Sequence, residues 1–157
     1  MAWLPLGLMA ETVSATDSRI TFVGRAIENS GSLTFDFPAT YFRVAFTGKS
    51  LSMRVTDTKR NYYAVFVNTP TSAEPTRIVE VKGTDTIIDL VLPADLKALK
   101  TKEYQVVIQR RTEANCGTTT VKEFITDGKF LQAEPLKARQ IEFIGDSYTC
   151  GYGIDAP

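Results

Sequence analysis

Ser147 lies in the segment Gly145-Asp146-Ser147-Tyr148-Thr149-Cys150-Gly151-Tyr152-Gly153, directly after the apolar positions Ile141, Phe143 and Ile144. A short apolar run of that kind is the pattern of a buried strand. Gly145 permits a sharp turn, and Asp146 and Ser147 are residues that start helices. A serine on a tight strand-to-helix turn holds its hydroxyl clear of the backbone. Its own N–H then points at whatever the hydroxyl attacks, which is the chemistry of an acyl-transfer nucleophile. Gly-Asp-Ser alone would be an ordinary turn. With Thr149, Gly151 and Gly153 at their spacings, six fixed positions coincide, which chance produces roughly once in 10⁵ sequences of this length.

A serine hydroxyl is a poor nucleophile without a base beside it. The 157 residues contain no histidine. The chain therefore reads as the front part of an enzyme, with the nucleophile present and the base absent, and it is expected to be inactive alone. Cys116 and Cys150 are the two cysteines. Their spacing fits no metal motif, and free thiols are the expectation rather than a disulfide.

Eighteen Lys and Arg balance eighteen Asp and Glu, so no net field favours nucleic acid or an anionic membrane. Lys97, Lys100, Lys102, Arg110 and Arg111 form the densest cationic stretch. Interleaved Asp95, Glu103 and Glu113 make it read as a solvated face. Met1–Ala10 is apolar but lacks a basic n-region. It reads as the tail of a secretion signal or as a start-site artefact, and it is too short to span a membrane.

The elements that must position Ser147 are strands. Residues 1–18 read as a leader and polar lead-in. Ile20 and Phe22 open a first strand over Arg19–Val23, and Leu33, Phe35 and Phe37 alternate in a second. Phe42, Val44 and Phe46, then Leu51, Met53 and Val55, mark two more. Tyr62–Val67, Ile78–Val81, Thr86–Leu92, Tyr104–Gln109, Val121–Ile125 and Phe130–Leu131 follow, separated by turn signals such as Asn29-Ser30-Gly31 and Asp127-Gly128. Pro93–Leu99 is the one helical patch. About ten short strands with almost no helix predict an all-β sandwich or jelly roll over residues 19–134. Pro135–Lys137 reads as a linker, so residues 135–157 are expected to hold that linker and the beginning of a second, α/β unit.

The block Ile141-Glu142-Phe143-Ile144-Gly145-Asp146-Ser147 resembles the nucleophile block of SGNH, or GDS-type, serine hydrolases. With a β-sandwich ahead of it, the chain resembles carbohydrate esterase family two, two-domain acetyl esterases acting on plant polysaccharides. Further marks are Gly24-Arg25, Phe46-x-Gly48 with Leu51, Asn61-Tyr62-Tyr63, and Arg111-Thr112-Glu113-Ala114 with Gly117. The resemblance implies a jelly roll packed against an SGNH domain truncated just after its first strand and GDS turn. It implies Ser147 as nucleophile and backbone oxyanion donor, with Gly145, Asp146, Tyr148 and Gly151 shaping the site. Asp146 is a turn residue in this reading, not the triad acid. Tyr148 stands where many relatives carry an aliphatic residue. The histidine and the other oxyanion donors would come from later blocks.

The reaction so implied is two-step acyl transfer on an acetylated polysaccharide or oligosaccharide, needing neither metal nor organic cofactor, outside the cell or in the periplasm. Two competing readings are a sugar-binding sandwich that stacks rings on Tyr41, Tyr62 and Tyr63, and a purely structural module that shapes the esterase cleft. The tail strand Ile141–Ile144, with its sheet partners absent, is expected to dock on the sandwich or on a second copy by strand addition, or else the helix start after Ser147 is expected to be disordered.

Overall fold

Alternating apolar and polar residues build nearly every element of the chain. A computed structural model describes residues 10–139, 141 and 144–149. In chain order the strands are β1 (Glu11–Ser14), β2 (Thr21–Val23), β3 (Ile27–Asn29), β4 (Ser32–Phe35), β5 (Tyr41–Thr47), β6 (Leu51–Asp57) and β7 (Arg60–Val67). They continue with β8 (Arg77–Lys82), β9 (Thr86–Val91), β10 (Glu103–Arg110), β11 (Thr119–Thr126) and β12 (Phe130–Leu131). One short helix, α1 (Pro93–Leu96), and a single 3-10 turn, Ala114–Cys116, interrupt them. The helix starts at Pro93, whose missing N–H costs nothing at a first helical position.

The strands form two antiparallel six-stranded sheets. Sheet A runs β3-β4-β11-β6-β9, with β1 also paired to β11; sheet B runs β12-β5-β10-β7-β8, with β2 also paired to β5. This is a jelly-roll β-sandwich. Leu51, Met53 and Val55 of β6 and Val121 and Phe124 of β11 face Phe42, Val44 and Phe46 of β5 and Tyr104, Val106 and Ile108 of β10. Each such side chain contributes about 1.5–3 kcal/mol on burial. Phe42 and Phe124 meet across the two sheets with ring centroids 5.2 Å apart. In β11 the register shifts between Val121 and Glu123. That bulge moves the inward set from Val121 to Phe124 and Thr126.

Several expectations need correction. The supposed lead-in contains β1, which pairs with β11 from Glu11↔Thr126 to Ser14↔Glu123 and buries Val13 and Ala15. The short strand β3 was not anticipated; all its residues are exposed, so it carries no burial pattern. Phe37 does not continue the β4 alternation. It lies 48% exposed beneath the Arg25 guanidinium, 5.7 Å from the ring centre. Arg110 is not on a solvated face but 1% exposed, whereas Lys97, Lys100 and Lys102 are exposed as expected.

The strand expected over Ile141–Ile144 is not formed at Ile141 or Ile144, which are 72% and 91% exposed. A strand needs a ladder partner, and none of the described strands pairs with these residues. Glu142 and Phe143 lie outside the described residues. No helix among the described residues is long and apolar enough to cross a membrane.

Candidate active-site turn and the cleft beside it

The Gly-Asp-Ser segment folds as a turn that is held from within. Asp146 Oδ1 accepts the Tyr148 backbone N–H at 3.0 Å, closing an Asx turn around Ser147. Thr149 packs directly on Gly145, so closely that a Cβ at Gly145 would overlap Thr149 Oγ1, Cβ and Cγ2. Gly145, Asp146, Ser147, Tyr148 and Thr149 are all exposed, Tyr148 by 92%. Asp146 is thus engaged as a turn residue. Tyr148 lines no enclosed site among the described residues. Gly151, Cys150 and the expected helix start lie outside the described residues.

The chain reaches that turn across the outer face of sheet B. A cleft of about 1050 Å³ lies there, floored by Tyr41 and Arg43 of β5 and Gln105, Val107 and Gln109 of β10. Leu136, Lys137, Arg139 and Ile141 line it from above. The crossing segment is pinned at its start. Arg43 Nη2 pairs with Glu134 Oε2 at 3.1 Å and Arg43 Nη1 donates to Pro135 O at 3.1 Å. Gln105 Oε1 accepts the Glu134 N–H at 3.2 Å. The Ala133 N–H donates to Arg19 O at 2.9 Å. Of the three tyrosines expected to stack sugars, Tyr41 alone borders the cleft. Tyr62 donates to Glu80 Oε2 at 3.3 Å, and Tyr63 is 1% exposed.

At one end of the sandwich the core is polar. Arg110 Nη1 donates to Thr119 Oγ1 at 3.0 Å, and Thr119 donates to Asp57 Oδ2 at 2.6 Å. Asn61 Nδ2 donates to both Asp57 oxygens at 2.9 and 2.8 Å, and Asn61 Oδ1 accepts from Thr112 Oγ1. Tyr63 Oη donates to Thr119 Oγ1 at 2.8 Å; burial pushes the phenol up to about 12. The remaining guanidinium donors of Arg110 go to Thr112 O, Glu113 O and Gly117 O. They staple the loop that follows β10. The half-buried Cys116 is a free thiol in that loop.

No group of His, Cys, Asp and Glu among the described residues could hold a metal ion.

The profile of the carbohydrate esterase 2 N-terminal family matches residues 22–135. An acetylxylan esterase / glucomannan deacetylase of Cellvibrio japonicus (strain Ueda107) is 32% identical over 127 residues, covering 80% of this chain and 32% of the relative. The cellulase/esterase CelE of Acetivibrio thermocellus is 31% identical over 109 residues, covering 69% of this chain and 12% of the relative. The chain therefore spans a third or less of the length of these two relatives. Among solved structures, a family two carbohydrate esterase from Cellvibrio japonicus superposes with a TM-score of 0.79 at 28% identity, over 94% of this chain and 42% of that one. The CBM36-1 domain of a multidomain xylanase shares the fold alone, with a TM-score of 0.50 at 8% identity, over 74% of this chain and 94% of that one. By its profile match and by these relatives, the chain belongs to the carbohydrate esterase 2 N-terminal family.

Proposed function

We propose that this chain is the N-terminal portion of a serine carbohydrate esterase of SGNH type that removes acetyl groups from polysaccharides outside the cell or in the periplasm. One observation carries the reading. A sandwich of this family leads straight into a Gly-Asp-Ser turn whose serine is exposed and whose aspartate is spent on the turn itself. A relative crystallised with cellohexaose supports a polysaccharide ligand.

In this reading Ser147 Oγ attacks the acetyl carbonyl and forms the new C–O bond. The tetrahedral oxyanion is met by the Ser147 N–H. Collapse releases the sugar alkoxide, which takes up a proton, and leaves an acyl-enzyme. Water then attacks the acyl carbon, freeing acetate and the serine. A histidine base must accept and return the proton. The 157 residues include no histidine, and in this reading the chain without that base retains at most residual catalysis.

The experiment compares hydrolysis of acetylated xylan and glucomannan by this chain, by the full open reading frame that contains it, and by Ser147→Ala in each. Turnover in the full polypeptide that disappears with Ser147→Ala, and none in the chain alone, is the expected result. Ser147-dependent turnover in the chain alone would refute the missing-base argument. A full polypeptide indifferent to Ser147→Ala would refute the nucleophile. In that case a non-catalytic sandwich becomes the better account.

A further inference from the structure

A sugar ring has flat, apolar C–H faces, and an open aromatic ring is the side chain best shaped to hold one. The sandwich keeps nearly all of its rings for its own packing. Among the described aromatic residues only Phe37 and Tyr148 are exposed. The Arg25 guanidinium stands over Phe37, 5.7 Å from the ring centre. Tyr41 lies on the floor of the sheet B cleft, under the segment of Leu136 and Arg139, and Tyr62 is bound to Glu80. Tyr148 is 92% exposed, and it is the residue next to Ser147.

The turn decides which of its side chains look outward. Asp146 reaches forward to the Tyr148 N–H at 3.0 Å, and Thr149 packs back onto Gly145. Both fold onto the backbone of the turn itself. Ser147 and Tyr148 lie between them, and both are exposed. Neighbouring Cα atoms stand about 3.8 Å apart. An acetyl ester is joined to its sugar through one oxygen, so the pyranose begins two bonds from the carbonyl carbon that Ser147 Oγ attacks. A sugar placed for that attack is within reach of a ring rooted one residue away. Tyrosine suits such a place, since its hydroxyl stays in water while its ring face takes an apolar partner.

We propose that Tyr148 is the ring on which the acetylated sugar stacks while Ser147 attacks its ester, and that it thereby sets the preference for saccharide esters over small ones. The inference rests on the function proposed above and names a specificity-determining residue of that same site. The ring acts by binding, so its contribution falls on KM rather than on the chemical step.

Substrate preference tests it in the full open reading frame that contains this chain. Hydrolysis is measured on an acetylated xylo-oligosaccharide and on ethyl acetate, an acetyl ester with no ring. Tyr148→Leu keeps an apolar side chain and loses the ring face. The ratio of kcat/KM on the saccharide ester to that on ethyl acetate should fall by about tenfold, chiefly through KM. Tyr148→Phe keeps the ring face and should keep the ratio. An unchanged ratio in Tyr148→Leu would overturn the inference. So would a shift in preference between acetyl and butyryl esters with the saccharide preference intact, which would put the ring on the acyl side. A second measurement needs no turnover. In the Ser147→Ala polypeptide, the calorimetric Kd for xylohexaose should rise by about tenfold when Tyr148→Leu is added, and stay level when Tyr148→Phe is added. Equal Kd values in all three would overturn the inference. Weaker binding in Tyr148→Leu alone supports the stacking ring even where hydrolysis is indifferent to Ser147→Ala, so the nucleophile and the ring fail separately.

Discussion

Arg110 and Thr119 join the two sheets through a 3.0 Å hydrogen bond made deep inside the protein, one residue from β10 and the other from β11. The Thr119 hydroxyl also serves Asp57 and Tyr63. Thr119→Val keeps the shape but removes all three bonds. A buried polar group left unpaired costs about 1–3 kcal/mol. For a chain of this size each kcal/mol lowers Tm by about 2–4 °C. Thr119→Val should therefore lower Tm by several degrees, and Tyr63→Phe, which removes a single donor, by clearly less. Thermal unfolding of the two variants decides it; Tm values equal to the parent's would show that the network contributes nothing.

Acid should loosen the protein through Glu11. Its carboxylate accepts the Phe130 N–H at 2.7 Å and Arg19 Nη1 at 2.9 Å, tying β1 of sheet A to β12 of sheet B. The backbone bond from Phe130, and then Arg19, hold its pKa below the ordinary 4.5. A carboxyl with a depressed folded pKa adds stability that is fully present above its unfolded value. That stability is lost as pH falls through the folded value. Tm should thus fall as pH drops below about 4.5, by this linkage. Glu11→Gln should lower Tm at neutral pH and flatten the acid decline. An acid decline as steep in Glu11→Gln as in the parent would remove Glu11 from the account.

Strand periodicity made most of the sandwich legible. Where a strand buries one face the residues announce it, as in Leu51, Met53 and Val55 or Tyr104, Val106 and Ile108. The same phase extends to residues whose chemistry argued the other way. Asp57 follows Val55, Arg110 follows Ile108, and Asn61 and Thr119 precede Tyr63 and Val121, each by two positions. All four are therefore inward. The doublet Arg110-Arg111 reads as surface by composition, and only the alternation shows that one of the pair turns in. Nothing in a local pattern could reveal β3, which buries none of its residues, or β1, which is polar apart from Val13. The turn at Ser147 was legible because its motif is dense. The latch of Arg43 on Glu134 was not, because it joins residues 91 positions apart.

Two glycines should separate the turn from the sandwich. A Cβ at Gly128 would collide with the Thr47 backbone carbonyl and with Gly48 Cα, inside the tight β11–β12 connection. Backbone cannot move aside as a side chain can, so Gly128→Ala should lower Tm markedly. At Gly145 the three nearest atoms that a Cβ would meet all belong to the Thr149 side chain, in a segment whose described residues are exposed. Gly145→Ala should leave Tm unchanged while abolishing Ser147-dependent hydrolysis in the full polypeptide. A matching loss of Tm in both variants would contradict the independence of the turn.

The boundaries of the folding unit follow from where burial begins and ends. The central core cluster starts at Val13 and closes at Phe130, and Ala133 is 2% exposed. From Lys137 onward every described residue is exposed. Removing residues 138–157 therefore takes away no buried side chain among those described, and it keeps Glu134 and Pro135 against Arg43. The shortened chain should unfold in one cooperative transition with Tm close to that of the parent. Removing residues 1–18, which their composition alone would mark as dispensable, has the opposite effect. It strips β1 from β11, removes Val13 from its place beside Phe124, and deletes the Glu11 carboxylate that ties the sheets together. Val13 and Ala15 go with it, and loss of a packed edge strand exposes a ladder of unpaired N–H and C=O groups on β11. The N-terminal deletion should lower Tm by many degrees or yield insoluble protein. If calorimetry instead shows the C-terminal deletion to be the more damaging of the two, the sandwich depends on the tail and the unit does not end near Lys137.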